Sequence, residues 1–83
     1  MNITFRQLKI FEAVASNLSY TRASEALHLT QPAVSMQIKQ LENSVGLPLF
    51  EQIGKKICLT DAGNEFRRYS SAIGSQLEEL EQV

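Results

Sequence analysis

The 83-residue sequence predicts a mainly α fold: a winged helix-turn-helix of three helices and a two-stranded wing, followed by a long linker helix. Three observations predict it. Residues 19–46 read as two short helices joined by a tight turn, the second ending at a glycine. A strand-turn-strand pattern follows before residue 60. A 4-3-4-3 spacing then follows at Phe66, Ser70, Ile73, Leu77 and Leu80, with Tyr69 beside it. In this order the elements build a fold whose third helix is shaped to enter a DNA major groove.

The first helix is expected from Phe5 to about Ser16. Thr4 and Gln7 form a capping box, each satisfying a free backbone N–H at the helix start. Phe5, Leu8, Phe11, Val14 and Leu18 recur at three- and four-residue spacing and should face the core. The second helix is expected over Thr21–Leu27, with Ser19 or Thr21 as its cap. Ala23, Ala26 and Leu27 mark its buried side, and His28 and Leu29 form the turn. Thr30 caps the third helix. Pro32 sits in the first turn, where its missing N–H costs nothing. Val34, Ile38, Leu41 and Val45 line the core face, and Gly46 ends the helix in the position that favours positive φ.

Strands are expected near Leu49–Gln52 and Ile57–Leu59, with Gly54 and Lys55 at the turn of the wing. Thr60 caps the last helix, with Asp61 at its positive end. Roughly 20 residues give this helix a length of about 30 Å. Phe66, Tyr69, Ile73, Leu77 and Leu80 mark a stripe too long for so small a domain to cover, which reads as a dimerisation seam. Residues 1–60 are thus the expected reading head and 61–83 the pairing helix. The pattern stops at the last residue with no C-cap, as expected of a piece of a longer protein.

A chain this short buries a modest core and gains from a partner subunit. Its hydrophobic content of 43% argues against disorder. No apolar run is long enough to span a bilayer, and the start lacks a signal-peptide pattern, so a cytoplasmic location is expected. The single Cys58 excludes an internal disulfide and fits a reducing compartment. The net charge of −1 is unevenly spread. Residues 1–60 hold six basic groups (Arg6, Lys9, Arg22, Lys39, Lys55, Lys56) against four acidic ones, whereas residues 61–83 hold two against five. A weakly basic head predicts weak non-specific affinity for DNA.

The side of the third helix opposite its core stripe carries Pro32, Ala33, Met36, Lys39, Gln40 and Asn43, with Gln31 and Ser35 flanking the N-terminal end. In this motif those N-terminal residues reach base edges. Gln31 can bond adenine N6 and N7 together, or it is a solvated first-turn residue. Pro32, Ala33 and Met36 offer apolar surface to thymine methyls, although Pro32 also starts the helix and Met36 also reads as ordinary surface. Ser35 reaches a base or a phosphate, and Lys39 a phosphate. Thr30 caps the helix and lies where an N–H group can hold a phosphate. Thr21 and Arg22 begin the helix that crosses the DNA backbone, though Arg22 also reads as a surface partner of Glu25. Lys55 and Lys56 at the wing tip suit the negative potential of a minor groove, or simply solubilise a turn. Gln52 can reach the DNA backbone. His28 reads as a packing or capping residue and Cys58 as core, with no second Cys or His at metal-ligand spacing. No cofactor is expected. Catalysis is unsupported: no nucleophile-base pairing or glycine-rich phosphate loop is visible.

The segments FRQLKIFEAVA (5–15), SYTRASEALHLTQPAVSMQIKQLE (19–42) and VGLPLFEQIGKKICLTDAG (45–63), with the long helix after them, resemble the N-terminal domain of LysR-type transcriptional regulators. Within that family the chain looks most like the regulators of Calvin-cycle RuBisCO operons, the CbbR type. The resemblance implies an operator-binding homodimer paired through the linker helix, tetramers in the full-length protein and interrupted palindromic sites. It also implies a C-terminal domain, absent here, that binds a small-molecule co-inducer. Many members of the family carry Arg where this chain has Met36 and Gln52, so two phosphate- or base-seeking cations are replaced. The competing reading is a winged-helix module whose third helix packs on a partner protein instead of DNA. The near-neutral charge and Met36 favour it slightly.

Overall fold

The computed structural model describes residues 2–83. Helices α1 (Phe5–Asn17), α2 (Tyr20–Leu27) and α3 (Gln31–Val45) lead into strands β1 (Phe50–Ile53) and β2 (Lys56–Leu59), and helix α4 (Asp61–Glu81) closes the chain. The strands pair antiparallel, Phe50 opposite Leu59 and Ile53 opposite Lys56. The first strand begins one residue later than its apolar pattern suggests, at Phe50; the N–H of the buried Leu49 goes to the Glu42 carboxylate. Gly54 supplies the left-handed φ of 63° at the turn.

Three helices start at the expected residue, and α2 starts one residue earlier than expected, at Tyr20. The Thr4–Gln7 capping box is closed in both directions. Ser19, not Thr21, caps α2, accepting from the Arg22 N–H at 3.1 Å. Thr30 accepts from the Ala33 N–H at 3.3 Å and Thr60 from the Gly63 N–H at 2.9 Å. His28 ends α2 in the left-handed region at φ 57°, a conformation that costs a non-glycine residue some strain.

The core gathers Ile10, Phe11, Val14 and Ala15 of α1, Ala23 of α2, Val34, Ile38 and Leu41 of α3, and Leu49 and Phe50 at the root of the wing. The Phe11 ring lies 5.3 Å from that of Phe50, tilted by 43°, and edge-on at 4.9 Å from Phe66. The expected stripe on α1 is rotated. Phe5 and Leu18 are exposed, and Gln7 and Ile10 are buried instead. Phe5 stands in the first turn, before any helix covers α1, and Leu18 lies past the helix end in a left-handed cap. On α2, Ala26 is exposed and Ser24 is buried in its place, with its hydroxyl donating to the Thr21 carbonyl at 2.7 Å. A local bond to the preceding turn lets a polar residue occupy the buried side. Cys58 is half-buried, not core, because it lies in a two-stranded hairpin opposite the exposed Glu51.

Two features were not visible in the apolar pattern. Gly63, in the first turn of α4, lies against the backbone of Leu49; an added Cβ would collide with the Leu49 carbonyl. That carbonyl also accepts from the Thr60 N–H at 3.0 Å. Tyr20 is half-buried beside Phe50, with ring centroids 6.2 Å apart. Burial first, and the Glu42 carboxylate second, raise its pKa above the ordinary value of 10.0.

Replacing Gly63 by Ala should therefore destabilise the domain by about 2 kcal/mol or more, although helix propensity alone favours alanine by about 1 kcal/mol. Urea unfolding decides the sign, and a gain in stability would refute the close approach. A raised phenol pKa means the folded state prefers neutral Tyr20. Its contribution is complete below pH 10 and is lost as the pH climbs through the folded-state value. The stability advantage of the parent over Tyr20→Phe should shrink between pH 7 and pH 11, in urea titrations at both. An unchanged difference would contradict it.

Candidate nucleic-acid interface

Helix α3 turns Val34, Ile38 and Leu41 fully inward. The helical repeat then leaves Gln31, Pro32, Ser35, Met36, Lys39, Gln40 and Asn43 exposed. Met36 shows 59% of its surface, a large apolar side chain left open in the middle of a polar edge. Ala33 is half-buried, so it flanks this edge and is not at its centre.

On α2, Thr21 and Arg22 stand exposed in the first turn, held there by the Ser19 cap. Arg22 and Glu25 do not pair. The ion pair found among the described residues is Arg68 with Glu65, at 2.8 Å on exposed α4. Arg22, Lys39, Lys55 and Lys56 are thus exposed cations without a carboxylate partner among the described residues. On the wing, the Gln52 amide donates across the turn to the Gly54 carbonyl at 3.2 Å, which ties this side chain to the tip beside Lys55.

The expected seam on α4 divides in two. Phe66 is occupied inside its own chain against Phe11, and Ser70 is buried with a hydroxyl that has no partner among the described residues. Ile73 and Leu77 instead line an open groove of about 770 Å³ with Phe5, Leu8, Leu27 and Leu29. Leu80 and Tyr69 are exposed outside it, and the Arg68 guanidinium lies 5.8 Å from the Tyr69 ring centre. No helix among the described residues is long and apolar enough to cross a membrane, and no cluster of metal-binding side chains occurs among them.

Sequence reasoning missed two polar ties behind the exposed edge. Glu42, half-buried near the end of α3, accepts from the N–H groups of Leu49 and Phe50 at 2.6 and 3.3 Å. Gln7, buried in the first turn of α1, donates to Gln37 of α3 at 3.4 Å. The signal for Glu42 was its place beside Leu41 on the buried stripe, where a lone carboxylate needs donors.

The arrangement has close counterparts. A regulator named for the RuBisCO operon in Allochromatium vinosum is 59% identical over the whole of this chain, which spans 28% of that protein's length. The BenM DBD, solved with benA site 1 DNA, superposes with a TM-score of 0.92 at 30% identity, over 96% of this chain and 90% of that one. The CbnR DBD, also solved with DNA, gives 0.90 at 34% identity, over 96% and 92%. The family profile described as bacterial regulatory helix-turn-helix protein, lysR family, matches residues 5–64, from the first residue of α1 into the first turn of α4. With motif order, fold and profile in agreement, the chain belongs to the lysR family of bacterial regulatory helix-turn-helix proteins.

Proposed function

We propose that this chain is the operator-binding part of a transcriptional regulator that acts in the cytoplasm on a RuBisCO operon. It has no catalytic role. The observation that carries the reading is the exposed N-terminal edge of α3, braced from behind by a fully buried stripe. Gln31, Ser35 and Met36 read base edges, with Pro32 and Ala33 against thymine methyls. The N-terminal end of α3 at Thr30 receives a phosphate, helped by the positive pole of the helix. Thr21, Arg22, Lys39, Gln52, Lys55 and Lys56 meet the DNA backbone, the last two beside a minor groove. The name of the Allochromatium relative supports the choice of operon.

Residues 1–60 do the reading, and residues 61–83 pair two copies. Ile73, Leu77 and Leu80 with Tyr69 form the seam, and Phe66 holds the helix on its own head. A two-fold dimer sets two recognition helices one or more helical turns apart on an interrupted palindrome. Tetramers and a co-inducer belong to the full-length regulator.

Anisotropy titration against a RuBisCO-operon promoter duplex and a scrambled one tests the reading. The chain should prefer the promoter, and Gln31→Ala should lose about 1–3 kcal/mol of that preference. Affinity should fall steeply with salt. Equal, salt-insensitive binding to both would instead favour a protein-interaction module. For the seam, Leu77→Asp should sediment as a monomer and bind the promoter about 100-fold more weakly, because two linked heads act together. Intact dimers would show the seam to be elsewhere.

A further inference from the structure

Glu42 stands where local rules disfavour it. It lies within about one turn of the C-terminus of α3, the negative pole of the helix, and no basic residue occupies that last turn. Conflicts of this kind mark positions held for a tertiary or functional reason. The compensation is visible. One carboxylate oxygen, Oε2, receives both the Leu49 N–H and the Phe50 N–H, at 2.6 and 3.3 Å. These donors lie where the chain enters β1, so the bond grips the wing at its root. The root of the wing is also held by Phe50 in the core and by the Thr60 N–H on the Leu49 carbonyl, but these contacts come from α1, α2 and α4, and Glu42 is the tie to α3. The wing is a single hairpin of two four-residue strands, a unit that is marginal by itself. Both its lysines lie at the far end of the hairpin, at the turn between the strands.

We infer that Glu42 is a positioning residue that sets the angle of the wing against the recognition helix, so that Lys55 and Lys56 reach phosphate while Gln31 reads bases on the same duplex. The inference rests on the proposed DNA-binding function, and goes beyond it by giving α3 a second task. Its N-terminal half reads and its C-terminal end aims the wing. The latch is specific to an acceptor at this point; charge itself is not required, since a neutral amide oxygen can take both N–H groups.

The test compares Glu42→Met with Glu42→Gln. Both remove one negative charge and keep an unbranched, helix-forming side chain, but the amide keeps an oxygen acceptor where methionine offers only a weakly accepting sulfur. Any general electrostatic gain in DNA affinity is therefore common to the two. In promoter titrations the slope of log K against log salt should drop in Glu42→Met by as much as in Lys55→Ala/Lys56→Ala, about 0.9 for each phosphate that is no longer neutralised. Combining the lysine changes with Glu42→Met should add nothing further. Glu42→Gln should keep the parent slope, and preference for promoter over scrambled duplex should persist in both.

A DNA-free measurement accompanies it. Nitroxides at Lys55→Cys and Gln40→Cys, in a Cys58→Ser background diluted with unlabelled chain, report the wing-to-helix distance. The distribution should be narrow in the parent and in Glu42→Gln, and broad in Glu42→Met. Three results would overturn the inference: an unbroadened distribution, additive lysine effects, or loss of cooperative unfolding in Glu42→Met, which would make Glu42 a support of the whole fold. A parent chain that binds neither duplex would remove the DNA reading, and the distance measurement alone would then judge the wing latch.

Discussion

Phe11 is the residue on which the separate elements converge. It is wholly buried on α1, meets Phe50 at the wing root and Phe66 on α4, and through Phe50 reaches Tyr20 on α2. Aromatic pairs of this geometry add about 0.5–1.5 kcal/mol each beyond their buried area. More important is what they join. A short helix, a two-stranded hairpin and the start of a long helix are each weak alone, and one ring makes them mutually dependent. The third helix enters the same core through Val34, Ile38 and Leu41, so its opposite edge is backed by that core.

That rigidity has an electrostatic counterpart. The head carries few cations, and Arg22, Lys39, Lys55 and Lys56 are spread over three elements instead of clustering on the recognition helix. Meanwhile α4 carries the acidic surplus. Under the proposed function, a weakly basic head depends more on base contacts and on the placement of each cation than a strongly basic one does. Glu42 keeps its negative charge, which is felt at Tyr20, while its oxygen is held by the backbone donors of Leu49 and Phe50.

Much of this was legible in the sequence because caps and periodicity are local. Thr4, Thr30 and Thr60 announce helix starts within one residue, and the inward face of α3 follows from Val34, Ile38 and Leu41. The failures are equally physical. Phe5 and Leu18 fit an apolar repeat but lie at helix ends, where no neighbour covers them. Ala26 looks more buriable than Ser24, yet a hydroxyl that bonds its own preceding turn can go inward. Phe66 fits the outer seam by spacing and is claimed by Phe11, a residue far away in the chain, a pairing no local pattern carries. The bond from Glu42 to Leu49 and Phe50 also depends on how a loop folds back, which composition does not encode.

The close approach of Gly63 to Leu49 gives the molecule an uneven compliance. Most of its joints are side chain against side chain, and such joints absorb small displacements by rotamer shifts. At Gly63 two main chains meet with no side chain between them, and the Thr60 N–H ties the same carbonyl. A joint of that kind has no slack. The base of the wing and the first turn of α4 therefore travel as one piece. A tilt of the first turn of α4 is carried directly to the root of the wing.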